Sequence, residues 1–285
     1  MKIRKKLLII FSFLVLLLLI SNCTLANNNI NRSLISSLMD GANYDEVKLL
    51  IEEGLNINDS DWTGRTPLIW VSSKGKTDIA RLLINSGANI NSTNVDKMTA
   101  LMFASIFGHS ETVELLIDKG ADVNITNKNG VTALMSAAAN GHKEIVELLI
   151  NSGSEVNSWS NNGTTALMFA SGNGFVEVVE LLIKRGANIN VSDYRGLTSL
   201  MYSAANGHPG IVKTLIKKGV RINVLDNDNW SALMYAAKFN RLKSVELLIN
   251  AGADTNATNN KGKTSLIIAM TNGNKEVADL IKESL

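Results

Sequence analysis

Cysteine is almost missing from this 285-residue chain, which has one, Cys23, so an internal disulfide framework and any zinc site built from several thiolates are excluded. Acidic residues are absent from residues 1–22, whereas Lys2, Arg4, Lys5 and Lys6 fall in the first six. No apolar run reaches the ~20 residues that a bilayer-spanning helix needs; the longest, Leu7–Ile20, has 14. His-Glu-x-x-His, Walker, Gly-x-Ser-x-Gly and dinucleotide-glycine patterns are also missing. What is present is an ordinary globular composition, 45% hydrophobic with 21 glycines, which excludes disorder and collagen-like structure as overall classes. The net charge of +2 is an average of unlike parts. Without residues 1–22 the tally is 24 basic against 26 acidic, a net charge of −2.

A cationic start followed by a short Leu-rich run is the pattern of a signal peptide. Two processing sites compete. Thr24-Leu25-Ala26 presents small residues before a cut at Asn27, giving a leader of residues 1–26. Alternatively, Leu19-Ile20-Ser21-Asn22-Cys23 resembles a bacterial lipobox, giving a leader of residues 1–22 and a lipidated Cys23. Asn22 departs from the small residue usual at that place. Residues 23–32 then form a polar tether. The sequence expectation is export to the cell envelope or periplasm, with or without a lipid anchor, or secretion.

The rest is periodic. Thr66, Thr99, Thr132, Thr165, Thr198, Ser231 and Thr264 are spaced by 33 residues without an insertion, and each is followed two positions later by leucine. Gly54 to Gly252 and the Leu-Leu-Ile triplets beginning at 49, 82, 115, 148, 181 and 247, with Thr-Leu-Ile at 214, hold the same period. In one unit, Asn127-Lys128-Asn129-Gly130 carries the preferences of a type I turn. Thr132 opens a short helix ending near Asn140-Gly141, and His142 begins a second with an apolar stripe from Ile145 to Ile150. Gly153 sits where a left-handed C-cap belongs. Neither helix is long enough to be stable alone, so each pair must bury its face on the next.

These motifs resemble the ankyrin repeat. Its Gly-x-Thr-Pro-Leu-His-x-Ala-Ala core stands here as Gly130-Val131-Thr132-Ala133-Leu134-Met135-Ser136-Ala137-Ala138, its Gly-His link as Gly141-His142 and its Gly-Ala-Asp-Val-Asn loop as Gly120–Asn124. The resemblance implies an all-α solenoid of helix-turn-helix units joined by short turns or β-hairpin fingers. It spans residues 33–285: a degenerate unit at 33–60, full units over 61–258 and a capping unit at 259–285, where Lys282 replaces an apolar triplet residue. Only Pro67 fills the Pro position, and the motif His is Met102, Met135, Met168, Met201 or Met234, or else Ile69 or Ile267. Inter-unit packing accounts for this methionine row better than a soft-metal path or an oxidation sensor.

Little else speaks of chemistry. His109, His142 and His208 share the link position, and neighbouring stacked helices about 8–10 Å apart hold such side chains too far apart for one zinc ion. Glu114, Glu147, Glu180 and Glu246 recur at one helical position as a solvated edge. Lys217, Lys218 and Arg221 form only a local basic cluster. The sequence therefore points to no enzyme activity, no cofactor, no metal and no nucleic-acid partner, with membrane contact only through the leader or a lipid on Cys23.

What remains is recognition of another protein by a monomeric scaffold, or in an alternative reading the occlusion of a toxin or hydrolase by an immunity or inhibitor protein. In the family the resemblance invokes, turn tips and the exposed side of the first helix bind partners. Aromatic, Met, Leu and Ile exceptions to the polar surface fall in two groups there: Met98, Ile106 and Phe107 in one unit, and Tyr194, Leu197, Trp230 and Phe239 in two adjacent units. Such types are enriched in interface hot spots. The alternative for these seven is packing against the neighbouring turn.

Overall fold

The computed structural model describes residues 33–285, so the leader, Cys23 and the tether lie outside the described residues. Sixteen helices and no strands are found among the described residues. In chain order they pair as α1 (Leu34–Met39) with α2 (Tyr44–Glu52), α3 (Pro67–Ser73) with α4 (Thr77–Asn85), α5 (Ala100–Phe107) with α6 (Ser110–Asp118), and α7 (Ala133–Asn140) with α8 (Lys143–Asn151). The pattern continues through α9 (Ala166–Asn173) and α10 (Val176–Lys184), α11 (Ser199–Asn206) and α12 (Pro209–Lys217), α13 (Ala232–Lys238) and α14 (Leu242–Asn250), and α15 (Ser265–Thr271) and α16 (Lys275–Glu283). This is the all-α solenoid that the period implied.

The recurrent Thr-x-Leu has a local cause. Each Thr, and Ser231 in its place, is the N-cap of an odd-numbered helix from α3 onward, its hydroxyl accepting from the third amide of the helix. The Met135 amide, for instance, donates to Thr132 Oγ1 at 3.2 Å. The leucine two residues on is then the first large side chain to enter the core, as Leu134 does. Asn127 works the same way in the turn before: Gly130 N–H bonds Asn127 O at 2.9 Å while the amides of Asn129 and Val131 bond Asn127 Oδ1. Gly141 closes α7 in the left-handed conformation at φ 78°.

Between units the burial is sharply periodic. The middle leucine of each triplet from Leu83 to Leu248 is sealed, whereas Leu148 and Ile150, expected in one continuous stripe, are only half-buried. All five methionines of the row are 1% exposed; Ile267, at the same position in the last described unit, is 43% exposed, with no later unit packed on it among the described residues. Lys282 is exposed beside the buried Ile281.

Three ladders of hydrogen bonds tie unit to unit. Adjacent finger tips share a backbone bond, such as Asn161 N–H to Asn129 O at 2.9 Å. The loop asparagines form the second: Asn157 Oδ1 accepts from Asn188 N–H at 2.8 Å, and five more bonds repeat it from Asn58 to Asn223. The link residues form the third, where His142 Nε2–H donates to Ile106 O and His208 Nε2–H to Gly172 O, both at 3.0 Å. The histidines are therefore structural donors. Gly108 must be glycine for the same reason: it sits at φ 79°, and an added Cβ would lie 2.6 Å from the His142 ring.

Odd-numbered helices are rich in Ala and Ser and stack on one another more closely than the Leu- and Ile-rich even-numbered helices do. The array therefore curves, with the odd helices and the fingers lining its concave side.

Candidate functional site

The concave groove has a floor of one recurring position, the fourth residue after each N-cap. Trp70, Phe103, Ser136, Phe169, Tyr202, Tyr235 and Ile268 occupy it, and the five aromatics are all half-buried. The wall is the row of fingers. Floor and wall are matched chemically. Where the floor residue is Tyr, the finger turn opens with Asp, and the phenol donates to its outer carboxylate oxygen: Tyr202 Oη to Asp193 at 2.7 Å, Tyr235 Oη to Asp226 at 2.6 Å. The inner oxygen of each Asp already accepts two turn amides. In the Trp70 unit Arg65 supplies the missing donor, 2.9 Å from Asp61 Oδ2. Where the floor is Phe, Ser or Ile, the turn opens with Asn or Ser, which needs no such partner.

These pairs shift ionisation in opposite directions. Burial, and then the bond to the Asp carboxylate, pushes the Tyr202 and Tyr235 hydroxyls above the ordinary phenol value of 10.0. Burial pushes the Asp61 carboxyl up, but the bonds from Thr63 and Arg65 outweigh it and hold the group below 3.8.

The seven residues singled out in the sequence fall into different settings. Phe239 is 44% exposed and Trp230 is half-buried, and the two come together around one cation, with Lys238 Nζ 5.1 Å from each ring centroid. Trp230 also packs on Tyr235, centroids 5.1 Å apart, a contact of the kind the packing alternative expected. Phe107 is 54% exposed, Ile106 is half-buried, and half-buried Met98 accepts a bond from Asn127 Nδ2 on the next finger. Leu197 is half-buried. Tyr194, 66% exposed, joins Trp159 instead of the Trp230 cluster; both line a cleft of about 400 Å³ between adjacent fingers.

Sequence reasoning missed Trp159, Trp62 and Trp70. Trp70 stands with Lys76 at 5.3 Å and Lys74 at 5.9 Å, a second Trp–Lys cluster at the other end of the groove. A signal existed: aromatics recur at the floor position of five units, and reading that column alone exposes the groove. Trp159 had a weaker one, since its column is Ser or Thr in five units and apolar only at Trp159 and Leu225. Among the described residues no group of three or more His, Cys, Asp or Glu could hold a metal ion. None of the described helices is long and apolar enough to cross a membrane.

No curated protein matches the chain. A family model described as ankyrin repeats (3 copies) matches it repeatedly, over residues 12–94, 34–127, 101–193, 153–226 and 200–284. Such repeats are protein-interaction modules, typically without catalytic activity, and the floor, fingers and ladders above are the parts they are made of. With the matches covering nearly every unit of the solenoid, the chain belongs to the ankyrin-repeat family.

Proposed function

We propose that this chain is an exported, non-catalytic scaffold that holds a protein partner in the groove formed by its fingers and odd-numbered helices. The observation that carries the reading is the contrast between columns. Core positions repeat almost unchanged from unit to unit, while the groove floor runs through Trp, Phe, Ser, Tyr and Ile. A surface that varies where the core does not is one specified for a shape outside the molecule. Residues 1–22 as a leader and Cys23 as a lipid acceptor supply the address. Their support is the cationic start, the short Leu-rich run and a sole cysteine placed at its end.

The test pairs binding with folding. Crosslinked partners of the full chain are compared with those of a Trp230→Ala/Phe239→Ala variant shown by circular dichroism to remain folded. The variant is expected to lose its main partner; equal capture by both sinks the groove reading. A captured hydrolase that the chain inhibits would move the role from scaffold to inhibitor. Metabolic labelling with a palmitate analogue tests the anchor, with label expected on the full chain and absent from Cys23→Ala.

A further inference from the structure

The charge of the solenoid is segregated. From N-cap to link, residues 66–76 and the six equivalent segments through 264–274, not one Asp or Glu occurs in 77 residues, where the chain's average would place about seven. Extending each segment back to include its finger turn gives ten Lys or Arg against five Asp, a net +5. The eight even-numbered helices carry nine against fifteen, a net −6. Three of the groove's five carboxylates are moreover spent: Asp61, Asp193 and Asp226 are turned inward on turn amides, Arg65 and the Tyr hydroxyls, while Asp228 stays exposed on the Trp230 finger. Lys128 sits 3.7 Å from Asp96. Among the described residues no carboxylate pairs with Lys74, Lys76 or Lys238, the three ammonium groups held beside Trp70, Trp230 and Phe239.

Resting on the groove reading above, we infer that the partner is an acidic polypeptide segment, whose carboxylates pair with Lys238 at one end of the groove and with Lys74 and Lys76 at the other, while its apolar side chains meet the adjoining rings. An ammonium lying on an aromatic face is partly desolvated and already placed, so a carboxylate reaching it forms a pair stronger than one on a free surface. The negative even helices steer the same segment away from the convex side. A peptide is favoured over a nucleic acid because the cations set beside aromatic rings gather at the two ends, while the floor segments between them, 99–109, 132–142, 165–175 and 198–208, carry no Lys or Arg, leaving only Lys97, Lys128 and Arg195 on separate fingers and no continuous basic track for a phosphate backbone.

The experiment is a selection of random 15-residue phage-displayed peptides on the full chain in mild detergent, followed by affinity measurements on synthetic winners. The expected winners have net negative charge and at least one aromatic or aliphatic residue. Replacing their Glu and Asp by Gln and Asn is expected to weaken binding at least tenfold, as is Lys238→Glu in the chain, with Lys238→Gln intermediate. Lys213→Glu, on the convex side, should change affinity less than twofold. A neutral or basic winning pool, no enrichment, or winners indifferent to the Gln and Asn replacement would overturn the inference. A single-stranded 20-nucleotide probe that binds more tightly than every winner would overturn it in favour of nucleic acid. The two readings fail separately: neutral winners lost with Trp230→Ala/Phe239→Ala leave the groove standing, whereas winners that bind this variant as well as wild type remove the groove itself.

Discussion

Helix α7 and its partner α8 show the division of labour within a unit. Ala133-Leu134-Met135-Ser136-Ala137-Ala138-Ala139-Asn140 contains no charge, buries six of eight residues and lies in the closely stacked row. Lys143-Glu144-Ile145-Val146-Glu147-Leu148-Leu149-Ile150-Asn151 buries three residues and turns its charges outward. Small side chains let the odd row approach and curve; long ones hold the even row apart. The same choice of residues that bends the solenoid also clears acids from its inner side, so shape and charge polarity have one origin in the repeat.

The largest break in this comparison is a charge placed in the closely packed row. Ala137→Glu buries a carboxylate where nothing can pair with it and should cost about 3–5 kcal/mol or more. Lys143→Glu, on the even row, loses only an exposed pair with Glu177 and should cost no more than about 1 kcal/mol. Chemical denaturation of both variants checks it, and equal losses would mean the rows do not differ as described.

Next comes the link between floor and finger. Tyr235→Phe leaves one oxygen of the buried Asp226 carboxylate without its donor and should cost about 1.5–3 kcal/mol. It also carries a pH signature. The folded hydroxyl titrates above the unfolded value of about 10, so its contribution is fully present below that pH and is lost as pH rises through the folded value. Wild-type stability should therefore fall above pH 10, and the Phe variant should fall less over the same window. Parallel slopes in urea titrations at pH 9 and 11 would contradict the role given to the phenol.

The smallest effect sharpens the comparison. Ser72, Ser105 and Ser171 lie at one position of the odd row, buried without a hydrogen-bond partner for Oγ among protein groups, where other units have Ala138, Ala204 and Ala237. Ser105→Ala should leave stability unchanged or raise it by up to about 1 kcal/mol, read as a melting-temperature shift of at most a few degrees upward. A clear loss would show that the hydroxyl is engaged.

How much of this was legible in the sequence follows from how local each feature is. The Thr caps, the Asn turns and the triplet core act within one unit, so the period alone exposed them. The half-burial of Leu148 and Ile150, and of Trp230 against Tyr235, depends on how close the neighbouring unit lies, which no single unit states. The Tyr–Asp pairs join residues nine apart on a finger and a helix, visible only once the hairpin folds back. Tyr194 and Trp159 are 35 residues apart and meet because adjacent fingers stack, which separated Tyr194 from the cluster with which sequence had grouped it.

The central claim is that the odd row and fingers are the face that binds. Hydrogen–deuterium exchange of the full chain, free and saturated with a selected acidic peptide, tests it most directly. Added protection should concentrate in the finger turns and in α3 and α13, with α4 and α14 exchanging as in the free chain. Protection centred on the even-numbered helices would contradict the account.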